Sequence, residues 1–285
     1  MPLTIAVCVK RVPDTAADKN LDPTDFTLER NPDESILNPV DEVAVEEALR
    51  LKEAHGGEVT VVTIGPEAAL TKAARRALSM GCDKAVHLSD AVLHGSDAEA
   101  IAYALACVLR HLSSGALRGA SGLSSGALRG ASGGSYDLIL CGSESTDART
   151  SLVPPALAEH LNLPGLCQAK KVEVVGDRVR VQREADQGYD VVEGPLPAVV
   201  GINWGANEPR YPSFKGIQSA KNKPVESLTA ADVGIEASRV GLAGSQSQVL
   251  GFGARSTERR RILIDNKDGN AHVKLADFLQ EAKLI

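Results

Sequence analysis

The 285-residue chain is long enough for one large domain or two small ones, with room for a substantial core. Its 37 acidic residues against 31 basic ones leave a formal charge of −6, so it has no basic excess with which to take nucleic acid as its main partner. No apolar run is as long as a membrane span, and the opening MPLTIAVCVKRVP lacks a signal-peptide pattern, so the chain is expected to be cytoplasmic and not membrane-embedded.

LTIAVCV (Leu3–Val9) is a continuous apolar run, as in a strand covered on both faces. DEVAVEEALRLKEAH (Asp41–His55) has helical spacing, an acidic start and Gly56–Gly57 to stop it. EVTVVTI (Glu58–Ile64) reads as a second buried strand, Glu67–Met80 as a helix, KAVHL (Lys84–Leu88) as a third strand, Ser96–Leu112 as an amphipathic helix and YDLILC (Tyr136–Cys141) as a fourth strand. Alternation of this kind predicts an α/β fold: a mostly parallel sheet with helices on both faces, whose ligands bind at the carboxyl ends of the strands. After Pro164 the pattern changes. KKVEVVGDRVRVQRE (Lys170–Glu184) alternates around Gly176–Asp177, a hairpin signal, and DVVEG and PAVVGI add two strand candidates. The last ~60 residues lack a core pattern until the amphipathic HVKLADFLQEAKLI, so Ser227–Thr257 reads as an extended arm. The expected organisation is a nucleotide-binding domain over 1–226 and an arm with its helix over 227–285.

LSSGALRGASG occurs at Leu112–Gly122 and again at Leu123–Gly133. Two such units cannot build a solenoid, and the segment reads as a tandem duplication in a solvated, flexible loop over 112–135. The five cysteines, Cys8, Cys82, Cys107, Cys141 and Cys167, form no CxxC pair and suit reduced thiols. The six histidines show no ligand spacing, and no metal site is expected.

The fourth strand runs into GSESTDARTSLVPPALAEHLNLP, a small, hydroxyl-rich loop before a helix starting near Ser151. Free backbone N–H groups and the helix dipole suit a phosphate there, with Ser145, Thr146, Thr150 and Ser151 as donors and Arg149 as a forked charge. Pro154 and Pro155 remove two donors, so an anion would be held at or before Val153. A Ser-rich helix cap without a ligand explains the loop equally well. CVKRVPDT and ILNPVDE would lie on the same rim, where Asn38 and Asp41 either read a base or ribose or cap the helix; capping is the first expectation for Asp41. Ile64 and Gly65 could pack against a base. Neither GxGxxG nor GxxxxGK[ST] occurs, GxSxG is met only within the low-complexity Gly/Ser segment (Gly122–Gly126 and Gly130–Gly134), and Glu46 and Glu47 read as solvated helix carboxylates, so an active site of the chain's own is disfavoured. NEPRYPSFKGIQSAKNK (Asn207–Lys223) remains: two prolines, Tyr211 and Phe214, then lysines, in what is expected to be an irregular surface loop.

Taken together, VCVKRVPDT, LNPVDEVAVEEALRLKE, RRALSMGCDKAVHL, the GSESTD loop, QREADQGYDVVEGPLPAVVGIN and NEPRYPSFKGIQSAKNK resemble the β subunits of electron transfer flavoproteins, over nearly the whole chain and closest to the actinobacterial branch. The resemblance implies a Rossmann-like, adenine-nucleotide-binding fold and a heterodimer with an α subunit that carries most of an FAD site. It implies AMP in this chain, at Cys8, Asn38, Pro39, Val40, Asp41, Ile64, Gly142, Ser143, Glu144, Ser145, Thr146, Asp147, Arg149, Thr150, Ser151, Leu152 and Val153. TDARTSLVPP departs from the Asn-Gln-Thr-Gly of one branch and from the Asp-Gly-Asp-Thr-Ala-Gln of the flavin-bifurcating branch, with Arg149 and Leu152 at positions often polar or acidic. AMP is expected, with a second FAD as the alternative. Glu184 is implied to contact the flavin domain of the α subunit, and the arm from Ser227 to wrap around that subunit. A docking loop is implied at Tyr211, Pro212, Ser213, Phe214, Lys215, Ile217 and Lys221. Phe214 stands at its anchor position, commonly leucine in the animal branch, and Lys215 and Lys221 supply steering charges. The implied function is a non-enzymatic electron carrier, filled by flavin dehydrogenases such as acyl-CoA dehydrogenases and emptied by a membrane quinone oxidoreductase. A flavin-bifurcating subunit, and a nucleotide-binding enzyme or stress-type protein on a similar fold, are the alternatives.

Overall fold

The computed structural model describes residues 1–117, 136–253 and 262–285. The first apolar run is β1 (Leu3–Val9), followed by the short antiparallel ribbon of β2 (Arg11–Pro13) and β3 (Ser35–Leu37). Helix α1 (Pro39–His55) starts two residues before the expected Asp41, because proline fits a first helical turn, where its missing N–H has no acceptor to lose. Gly56, at φ 75°, ends it. Next come β4 (Gly57–Ile64), then α2 (Glu67–Ala69), which passes through a π turn (Leu70–Ala74) into α3 (Arg75–Met80), and β5 (Lys84–Leu88). After a 3-10 turn (Ala91–Leu93), α4 (Ala98–Leu117) precedes β6 (Leu138–Gly142) and α5 (Val153–Leu161). Helix α4 runs six residues into the first repeat copy, so 112–117 are helical and not loop; the rest of the duplicated segment, 118–135, lies outside the described residues.

The second half supplies β7 (Gly165–Val175), β8 (Arg178–Ala185), β9 (Gly188–Pro195), β10 (Ala198–Ile202), α6 (Phe214–Ala220), β11 (Val225–Leu228), a 3-10 turn (Ala237–Arg239), α7 (Gly241–Gly244) and α8 (Ala271–Glu281). The expected hairpin turns at Gly176–Asp177, with Gly176 at φ 64°.

Nine strands form one sheet in the order β11-β5-β4-β1-β6-β10-β7-β8-β9, parallel as far as β7, with β8 and β9 added antiparallel. Apolar residues of α1, the π turn and α3 pack one face with Val172, Val179 and Val181 of the hairpin; α4 and α5 cover the other. This is the expected α/β architecture. Two elements depart from expectation. Phe214–Ala220, read as irregular, is a short helix capped by the Ser213 hydroxyl, which accepts from the Gly216 N–H at 3.0 Å. Residues 227–250, read as part of an arm, belong to the first of two compact units, Met1–Leu250. β11 extends the sheet, Leu228, Ala230 and Val240 are buried, and the Arg239 guanidinium lies 3.7 Å over the Tyr103 ring. A 226/227 boundary therefore cuts β11. The second unit, Gly251–Ile285, contains α8 with Val273, Leu275 and Phe278 exposed.

Candidate functional site

Strand order reverses between β1 and β6: the chain leaves β1 through α1 towards β4, and leaves β6 through α5 towards β7 and β10. The loops at these two carboxyl ends diverge and open a rim. Gly142 lets the two sides touch, since a Cβ there would sit 2.3 Å from Asp41 Oδ1 and 3.0 Å from the Val40 carbonyl carbon. Asp41 is not the helix cap. It is buried within the first turn of α1, where its Oδ2 accepts the Lys10 backbone N–H at 2.8 Å and the Gly142 N–H also donates to its carboxylate. Burial outweighs these donors and pushes its pKa up to about 7.

Asn38, preceding α1, makes no capping bond. Its Nδ2 donates to the Glu144 carbonyl at 2.9 Å and its Oδ1 accepts from the Thr146 N–H at 3.2 Å, fastening the β6–α5 loop to the start of α1. Deeper in that loop, Asp147 is almost wholly covered and receives Lys10 Nζ and Arg30 Nη2, each at 2.7 Å. Burial alone would raise its pKa; the Lys10 and Arg30 charges and hydrogen bonds reverse that and hold it at about 2. Lys10 Nζ also donates to Ser145 Oγ at 3.1 Å. Its own pKa is lowered, burial outweighing the pull of Asp147.

The loop then passes through two non-glycine residues in the left-handed region, Arg149 at φ 50° and Ser151 at φ 52°. Alternation of this sort turns successive N–H groups inwards, a pattern that suits anions. Thr146 Oγ1 is buried with no hydrogen-bond partner among the described residues, as is Arg30 Nε. These groups fit a polar, anionic ligand: an unfilled hydroxyl, cationic side chains and a helix start converge at one rim.

Cys8, the segment Asn38–Asp41 and Gly142–Val153 thus come together, with Ile64 at the end of the neighbouring β4. Cys8 is buried and pairs in register with Cys141. Glu184 lies elsewhere, exposed on β8 beyond β10 and β7, with Lys170 Nζ at 3.4 Å. The Tyr211–Lys221 segment is also separate: its helix α6 sits on α3. Sequence reasoning placed Lys10 on the rim only as part of CVKRVPDT, without a role, and passed over Arg30. Lys10, directly after β1, carried a positional signal; Arg30, 117 residues from Asp147, carried none.

The parallel sheet and polar rim at its reversal point define a doubly wound α/β protein. A family model described as Electron transfer flavoprotein domain matches residues 25–233. Proteins named electron transfer flavoprotein subunit beta match almost end to end: 43% identity with that of Mycobacterium leprae and 40% with that of Mycobacterium tuberculosis H37Rv, each covering 99% of both chains. Identity is 37% with that of Thermoanaerobacterium thermosaccharolyticum, over 99% of this chain and 100% of the relative. The chain belongs to the electron transfer flavoprotein family, as a β subunit.

Proposed function

We propose that this chain is the nucleotide-holding half of a heterodimeric electron carrier, joined to an α subunit that carries most of an FAD site. The observation that carries the reading is identity of 37–43% with named β subunits across 99% of the chain. AMP is the proposed occupant of the rim. The Asn38 carboxamide, the Thr146 hydroxyl, Arg149 and the backbone from Thr150 to Val153 would hold it, while Asp147 keeps Lys10 and Arg30 in place behind the loop. The flavin of the heterodimer supplies the redox chemistry; this chain's residues bind, orient and present. Glu184, exposed beside the β8–β9 turn, is proposed to face the flavin region of the α subunit. Tyr211, Phe214 and Ile217 stand out from the surface near Lys215 and Lys221 and are proposed to dock flavin dehydrogenases, acyl-CoA dehydrogenases among them, with a quinone oxidoreductase as the acceptor. Among the described residues no helix is long and apolar enough to cross a membrane, and the carrier is proposed to work in the cytoplasm.

Co-expression with an α subunit tests this. A yellow heterodimer yielding one FAD and one AMP on extraction is the expected result. Two FAD per heterodimer would move the reading to a bifurcating subunit, and failure to form any flavin-bearing heterodimer would sink it.

A further inference from the structure

Residues 203–213 leave β10 and run along α1 before entering α6, and two side chains, Arg210 and Asn207, fasten them there. Arg210 meets Glu46 through two parallel contacts, Nε to Oε2 at 2.7 Å and Nη2 to Oε1 at 3.0 Å, while its backbone N–H donates to Oε2 at 3.1 Å. The same guanidinium reaches Glu53, two turns further along α1, with Nη2–Oε2 at 3.2 Å. The Glu46 side chain is 5% exposed; burial would raise its pKa, but the Arg210 hydrogen bonds and charge win and hold it below the ordinary carboxylate range. Asn207 Nδ2 adds bonds to Glu47 Oε2 at 2.9 Å and to the Val43 carbonyl at 3.1 Å. On the far side α6 is seated against α3: Arg75 Nη1 donates to the Ala220 carbonyl at 2.6 Å, and Lys223 Nζ to those of Cys82 and Leu78 at 2.6 and 2.9 Å. Between these fastenings Tyr211 and Phe214 are 89% and 78% exposed.

We infer that Arg210 is a positioning residue, which holds the 211–217 backbone so that a partner meets a preformed surface and need not order a loop. The inference rests on reading Tyr211–Lys221 as the dehydrogenase-docking segment.

The test uses the full heterodimer as electron acceptor for a purified medium-chain acyl-CoA dehydrogenase supplied with octanoyl-CoA, together with amide hydrogen exchange over 211–221. Arg210→Met is expected to raise the KM for the heterodimer and the exchange rate of the segment by roughly tenfold each, with kcat and FAD content unchanged. Arg210→Lys should recover part of both, and Glu53→Gln, which removes only the exposed arm of the clamp, should show smaller rises in the same two quantities. Wild-type KM and exchange in Arg210→Met overturn the inference. If that variant does not fold, wild-type values in Glu53→Gln and Arg210→Lys overturn it instead. Phe214→Ala separates the two ideas: it should raise KM and leave exchange alone. A wild-type KM in Phe214→Ala overturns the docking reading and the functional half of the inference with it. A raised KM there, beside an unaffected Arg210→Met, overturns the positioning role alone.

Discussion

Asp41 and Asp147 share one rim and hold their protons with opposite strength, about 7 against about 2. The unfolded chain releases both protons near 3.8, so the two acids bend stability in opposite directions. Between pH 4 and 7 folded Asp41 keeps a proton that the unfolded chain has lost, so its contribution to stability falls as pH rises through that window. Asp41→Asn should flatten this decline by about 3 kcal/mol at most, read as the difference between urea-unfolding free energies at pH 4.5 and 7.5. Asp147 works the other way: its contribution is present above pH 4 and disappears as pH falls towards 2. Asp147→Asn, which leaves Lys10 and Arg30 facing a neutral group, should cost roughly 3 kcal/mol at pH 7 and remove that acid-side loss. The same heterodimer should retain less AMP after gel filtration. The rim's position was legible in the sequence, because polar loops that follow apolar strands have few other places to go. The roles inside it were not. An aspartate near a helix start looks like a cap whether or not the helix begins two residues earlier, and Asp147 gives no sign of partners 117 and 137 residues away.

At the scale of elements, the continuous apolar runs marked β1, β4, β5, β6 and β10 correctly, because strands buried on both faces leave little room for polar side chains. Helix α6 was missed for the converse reason. Seven residues with little intrinsic helicity become helical through the Ser213 cap and a seat on α3, and neither term appears in periodicity. Glu46 and Glu47, expected to be solvated, are buried because Arg210 and Asn207, more than 150 residues later, lie over them. Gly216 shows how close the α6 seat is: a Cβ there would stand 2.5 Å from the Ser79 carbonyl oxygen. Gly216→Ala gains about 1 kcal/mol of helix propensity, yet the opposing atom is backbone and cannot rotate away. The expected net loss is about 1–3 kcal/mol, seen as a lower urea midpoint, with faster amide exchange at Lys221 as α6 lifts.

For the whole molecule, the packing of residues 225–250 makes truncation informative. A chain ending at Leu250 keeps every strand of the large sheet and should melt within about 3 °C of the full chain. One ending at Glu226 halves β11 and removes Leu228, Ala230 and Val240 from the core, and its Tm should fall by about 10 °C. Differential scanning calorimetry of the isolated chains distinguishes the two. Composition hid this because the segment is rich in Gly, Ser and Ala, so a few well-spaced apolar residues do the packing without an apolar run.

The strand order also sets a timetable for synthesis. β1, β4 and β5 can pair once residue 88 has been made, but the other edge of β1 waits for β6, and β10, made after β7, must enter between β6 and β7. At ribosomal speeds of about 5–20 residues per second, the interval from residue 88 to residue 202 lasts roughly ten seconds. Throughout it the nascent chain carries an open apolar strand edge, the kind of surface that chaperones cover and that other nascent chains can join. The folded yield of this protein should therefore depend on what meets that edge during those seconds, and only secondarily on the stability of the finished sheet.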